Sequence, residues 1–152
     1  MPKASVKRLI ECKKDDLISL VLDIEKYPEF VPFCFDAKIY ENKNEGDLIK
    51  IIADLTIGKG PFKDTYKSDV VFNKKNDTIF VKNIDGPLNH LSNNWTFIDK
   101  ANDITEVTFD IDFEIRNKFL NSLMVVSFQF GLEKIADAFQ KRAKELFNNS
   151  KD

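Results

Sequence analysis

The side chains able to do chemistry are few and scattered. His90 is the only histidine. As a general base it needs an orienting carboxylate, and Asp85 is the nearest candidate in sequence. A surface or satisfied histidine accounts for it as simply. A metal needs three or four ligands, and one histidine with two distant cysteines, Cys12 and Cys34, does not supply them. Gly58-Lys59-Gly60 is followed by Pro61 and a strand-like pattern rather than a helix, so it is not a phosphate loop. Asp110, Asp112 and Glu114 recur with a period of two, the spacing of one strand face. A solvated face explains them as well as a cation site does. The sequence therefore predicts no catalytic residue, no metal and no cofactor.

Apolar bulk is the more telling feature. Phenylalanine occurs 14 times in 152 residues, against one tryptophan and three tyrosines. Phe brings large apolar area without a polar handle, which suits a core or a lipid-lined cavity. The balance of 43% hydrophobic and 32% charged residues is that of a soluble globular chain. The length suits one domain over 1–152. A net charge of −2 gives no basic excess for nucleic acid, and DNA is not expected as a partner. The cysteines read as two free thiols in a reducing compartment. The N-terminus enters a strand-like pattern at once, without a signal or transit pattern. The expected location is the cytoplasm, peripherally at the inner face of the membrane.

The elements that must position any site follow from periodicity. Ala4, Val6, Leu9 and Ile10 mark a first strand. Leu17, Leu20, Val21 and Ile24 mark a short helix that must stop before Pro28. Tyr27-Pro28-Glu29-Phe30-Val31-Pro32-Phe33-Cys34 is a loop, because two prolines four apart disfavour both helix and central strand. Six strands follow, with Glu41 to Asp47 read as a polar turn after the first of them. In the last, Val107, Phe109, Ile111, Phe113 and Ile115 alternate with polar residues. The C-terminal third is helical. Leu132, Ile135, Ala136, Phe139, Ala143, Leu146 and Phe147 form one stripe, whereas Phe119 to Phe130 is apolar all round. Gly131 between them is a candidate kink. The predicted class is α+β, a curved antiparallel sheet of about seven strands wrapped round a long C-terminal helix.

Several stretches together resemble one family. Asp23 to Cys34 is similar to the signature loop of the coenzyme Q-binding START-like proteins of the polyketide cyclase/dehydrase superfamily, which includes the bacterial ribosome association toxin. Asp85-Gly86-Pro87-Leu88, Leu91, Trp95-Thr96-Phe97, the strand Val107 to Ile115 and Ala138 to Ala143 fit the same pattern, so the resemblance runs from about Val6 to Phe147. Phe33 stands where that family usually has Trp, and Leu88 where it has an aromatic. The resemblance implies a helix-grip (START/birch-pollen-allergen-like) fold with an apolar cavity. It implies a polyprenyl quinone or other hydrophobic ligand, and a chaperone or delivery role in respiration. Alternatively, it implies binding to the large ribosomal subunit and a block on subunit association.

In the first reading the lid is Tyr27, Phe30, Val31 and Phe33. The strands contribute Tyr66, Trp95, Phe109 and Phe113, and the long helix contributes Leu123, Phe128 and Phe139. Each has a plain alternative: the loop is a crossover fixed by its prolines, and Trp95 and Phe119 to Phe130 are core. Tyr66, His90 and Asp85 are candidate polar contacts. Phe119 to Phe130, flanked by Arg116 and Lys118, is also a candidate for transient membrane contact. In the second reading Lys134, Lys141, Arg142 and Lys144 form the footprint, diluted by Glu133, Asp137 and Glu145. A cyclase-type enzyme would want several ordered polar groups in the cavity, which the Phe-rich composition disfavours.

Overall fold

A computed structural model describes residues 3–59, 62–85, 88–115 and 118–148; the side chains at 59, 62, 64, 85, 88–90, 113, 115, 118–130 and 148 lie outside the description. Strand β1 (Lys3–Ile10) leads into helix α1 (Lys14–Leu22) and a 3-10 turn, Ile24–Glu29. Strands β2 (Cys34–Glu45), β3 (Leu48–Lys59), β4 (Phe62–Asn73), β5 (Thr78–Asp85), β6 (Leu88–Ala101) and β7 (Ile104–Ile115) then run to helix α2 (Lys118–Ala143). The sheet order is β1-β7-β6-β5-β4-β3-β2. Every pairing is antiparallel. Successive hairpins account for β2 to β7, and β1 closes on the far side against β7. Register shifts in β2, β5 and β6 mark bulges, which bend a sheet and increase its twist. The resulting curve takes both helices on one face.

Cross-strand register turns the inner face into rows. One row reads Ile49, Phe72, Ile79, Trp95, Phe109, Val6. The next reads Ile51, Val70, Val81, Asn93, Ile111, Ala4. Leu17, Ile18, Leu20 and Val21 of α1 and Leu132, Phe139 and Ala143 of α2 complete one buried cluster with these rows. Tyr66 and Leu91 form a second cluster, with Leu55 and Ile111 packed beside it.

Four local expectations change. Residues 41–45 are strand, not turn, and the turn falls at Gly46, whose φ of +63° suits glycine. They escape an apolar-alternation reading because β2 is a sheet edge, exposed from Tyr40 to Glu45. The α-helix does end early, at Leu22, but Pro28 is accommodated within the 3-10 turn that follows. Helix α2 continues through Gly131 without interruption. Leu146 is exposed, since the chain widens into a π turn at Lys144–Asn148 and leaves the stripe.

Candidate functional site

The aromatic row is sealed by the lid and α2. Phe139 reaches down from the helix onto Trp95, with ring centroids 5.2 Å apart. Trp95 lies 4.3 Å from Phe109. From the other side Phe139 meets Tyr27 at 5.4 Å and Phe30 at 5.1 Å, both edge to face. Such geometry adds about 0.5–1.5 kcal/mol per pair beyond area burial. The Tyr27 hydroxyl donates to the Val21 carbonyl at the end of α1. Burial pushes that phenol well above its ordinary range. Between Val6, Ile10, Trp95, Val107, Ile135 and Ala136 a gap of only about 20 Å³ remains. That is room for a water, not a ligand.

The lid is fastened by charge as well. Arg142 of α2 donates to Glu29 at 2.8 Å and lies 5.1 Å above the Phe30 ring. Glu25 accepts from the Ile39 amide at 2.9 Å and so ties the 3-10 turn to β2. Arg142 is thus half-buried, not part of an outward basic face. Arg8 projects from β1 towards α2 and pairs with Asp137 at 2.6 Å. Phe33 is 37% exposed and has a left-handed backbone, φ +69°, which a bulky residue rarely adopts. Its carbonyl accepts from the Gly58 amide at 2.9 Å, and its ring approaches Gly131.

Further along the strands the inner face changes character. Tyr66 and Leu91 are buried, but Leu55, Asn83, Asn93 and Ile111 are only half-buried although they face inward. Ser68 donates to the Ala53 carbonyl at 3.3 Å, and the Leu91 amide donates to Asn83 Oδ1 at 2.8 Å. Burial raises the Tyr66 phenol above its ordinary range and pushes the Cys34 thiol up to about 11.

Of the residues expected from sequence, the structure brings Tyr27, Phe30, Trp95, Phe109 and Phe139 into one cluster. Val31 packs at its margin. Tyr66 belongs to the other end, and Phe33 sits on the surface beside the helix. The side chains of Phe113, Leu123 and Phe128 lie outside the described residues, as do those of His90 and Asp85. Sequence reasoning passed over Ser68, Asn83 and Asn93. Their signal was the period-two alternation that puts Asn93 between Leu91 and Trp95 on one face.

A groove of about 500 Å³ crosses β1, β7 and β6 at residues 3–5, 110–112 and 92–94, so its lining includes Asn93 and Ile111 as well as Ser5 and Asp110. Ser5 donates to Asp110 at 2.5 Å. No cluster of three metal-binding side chains occurs among the described residues. Nor is any helix among them long and apolar enough to cross a membrane. Both cysteines are free, Cys12 buried and Cys34 half-buried.

Comparison with known proteins places this architecture. A ribosome association toxin of Rickettsia prowazekii is 32% identical over 142 residues, 91% of this chain and 94% of the relative. The mitochondrial coenzyme Q-binding protein of Dictyostelium discoideum is 32% identical over 138 residues, 90% of this chain and 66% of that longer relative. A START superfamily protein from Mycobacterium smegmatis superposes with a TM-score of 0.81 at 19% identity, covering 95% of this chain and 98% of its own; the fold is the helix grip. Residues 10–140 match the family of polyketide cyclases, dehydrases and lipid transport proteins. With that match spanning most of its length, the chain belongs to the polyketide cyclase/dehydrase and lipid transport family.

Proposed function

We propose that this protein is a binding module, not an enzyme, that holds a polyprenyl quinone or a related lipid between the sheet and α2 and hands it on in support of respiratory electron transport. The observation that carries this reading is the uneven cover of the concave face. The row through Trp95 is packed shut, while Leu55, Asn83, Asn93 and Ile111 face inward with part of their surface uncovered. Apolar ligand area taken up there contributes about 25 cal/mol per Å², so a long tail needs no polar chemistry to bind. The coenzyme Q-binding relative supports the ligand class. A cytoplasmic protein that meets the inner face of the membrane transiently fits such a role. The test is organic extraction of the folded, purified protein followed by mass spectrometry. A stoichiometric prenyl lipid is expected; an empty extract counts against the reading.

A second reading, binding to the large ribosomal subunit, is supported by the toxin relative and by one surface feature. On the convex side of β2 to β4, Phe35 and Tyr40 are 46% and 50% exposed. Lys63 lies 4.0 Å above the Phe35 ring, and Lys38 and Lys67 each lie 5.0 Å from Tyr40. Exposed rings among lysines suit stacked bases and phosphates. Salt-sensitive co-sedimentation with the large subunit, lost when Lys63 and Lys67 become Glu, is the expected result; sedimentation indifferent to both salt and these charges removes the reading.

A further inference from the structure

Phe33 is badly placed twice over. Its left-handed backbone, φ +69°, would suit asparagine or glycine with less strain. Its ring is nonetheless 37% exposed, so full burial does not offset that strain. Strain kept at an exposed side chain points to a use for it.

The neighbours share the exposure. The Gly58 amide donates to the Phe33 carbonyl, and Cys34 stands opposite Ile57 in register, so the start of β2 lies against the end of β3. Ile57 follows Leu55 on the inner side of β3, yet is 37% exposed where Leu55 is half-buried. Phe35 falls in the bulge between Cys34 and Asp36. Its exposed ring lies under Lys63, on the outer side. Lys63 in turn stands opposite Gly58. The Phe33 ring points the other way, towards α2 at Gly131. This end of the sheet is thus apolar on its inner side, on its outer side and at the corner between them. Other exposed apolar side chains have polar cross-strand neighbours: Leu9 and Ile98 flank Glu106, and Phe80 stands opposite Asn94.

Shape and charge select the occupant. A protein partner fitted to one face of the rim leaves the other face wet, whereas a fluid lipid surface closes round both at once. Lys59 and Lys63 are balanced in the sequence here by Asp36 and Asp64, so no net positive charge is offered to phosphates. Lys63 can lay its stem along Phe35 and keep its ammonium among head groups.

We infer that Phe33, Ile57 and Phe35 form an edge that dips into a lipid surface beside the half-covered end of the concave face. The inference rests on the lipid-binding reading above and adds to it the surface that meets the membrane.

Flotation of the purified chain with vesicles of phosphatidylcholine, a lipid without net charge, tests this, with organic extraction of the native protein alongside. The native chain is expected to float equally well at low and high salt. Phe33→Asn suits the left-handed backbone, so it should keep its unfolding midpoint while its partition into vesicles falls several-fold. With Phe35→Ser added, the loss should reach about tenfold. Phe80→Ser, which removes an exposed ring elsewhere, should float like the native chain. Native protein that yields a prenyl lipid on extraction but does not float overturns the rim and leaves the lipid-binding reading intact. Folded native protein that neither floats nor yields lipid overturns both. Flotation that needs anionic lipid and vanishes at high salt overturns the rim, because the attraction is then one of charge. A double variant that floats normally but no longer sediments with the large ribosomal subunit overturns it too, and gives this surface to the ribosomal reading.

Discussion

The two ends of the concave face are built on the same strands yet solve different problems. At the aromatic end six of the seven strands, all but β2, contribute an apolar residue to one unbroken row, and Phe139, Tyr27 and Phe30 close over it. At the polar end the same strands, a few residues along, present Tyr66, Ser68, Asn83 and Asn93, and two apolar residues beside them, Leu55 and Ile111, stay half-buried. One end is spent on stability and carries no spare volume. The other gives up burial that leucines would have supplied, and it leaves Asn93 Oδ1 without a hydrogen-bond partner. Local sacrifice of this kind belongs where a partner is to be accommodated.

If the contrast is right, the largest loss of stability comes from the aromatic end. Phe139→Ala removes the ring on which three aromatic contacts converge, and is expected to cost about 3–5 kcal/mol in denaturant unfolding. Asn93→Leu at the polar end should be neutral or slightly stabilising in the same measurement. Comparable losses at both sites would mean that the ends are not distinct. Next in size is the lid fastening. Arg142→Met gives up the Glu29 pair and the charge over Phe30, together about 1–2 kcal/mol given their partial exposure. Glu29→Gln should cost less, and the double variant should fall short of the sum, because both changes break one contact.

What the sequence disclosed follows the same division. The strand order of hairpins, the short helix and the long C-terminal helix were legible from alternation and from the i, i+3, i+4 stripe. So were most of the aromatic contacts, since Trp95, Phe109 and Phe139 stand at inward positions of strongly periodic segments. Periodicity could not reveal β2 beyond Tyr40, because an edge strand in water need not alternate. Nor could it show that Arg142 turns back to the lid, since a charged residue on a helix flank is ordinarily solvated. Asn93 was hidden for another reason. A polar residue inside an apolar alternation looks like a flaw in the pattern until the register shows that every cross-strand neighbour in its row is apolar.

A smaller effect tests the junction between the ends. Gly131 lies in the uninterrupted middle of α2, and a Cβ there would meet the Phe33 ring at 3.9 Å, an ordinary contact. No positive φ requires glycine at this position. Gly131→Ala should therefore raise stability by up to about 1 kcal/mol through helix propensity and a less flexible unfolded chain. A loss instead would show that the helix must yield at this point, and that the lid residue Phe33 moves against it.

The last contrast is one of wetness. Cys34 opens β2 where the two ends meet, its charge coupling both to Tyr66 and to Tyr27 of the lid, and burial holds its thiol up to about 11 against an ordinary 9.0. A water-filled end would leave the thiol near its ordinary value; a dry, apolar one raises it. The sign for stability follows from linkage: the folded state keeps the proton longer than the unfolded state does. The thiol's contribution is thus whole below pH 9 and is lost as pH rises towards 11. Two measurements check this. Iodoacetamide should label Cys34 at pH 8 more slowly than a free cysteine, gaining speed only as the solution approaches the raised value. The urea midpoint should sag above pH 9, and less so in Cys34→Ser. Labelling at the rate of a free thiol would mean that water already fills the polar end, and its half-buried side chains would then mark an open groove instead of a cavity awaiting an apolar ligand.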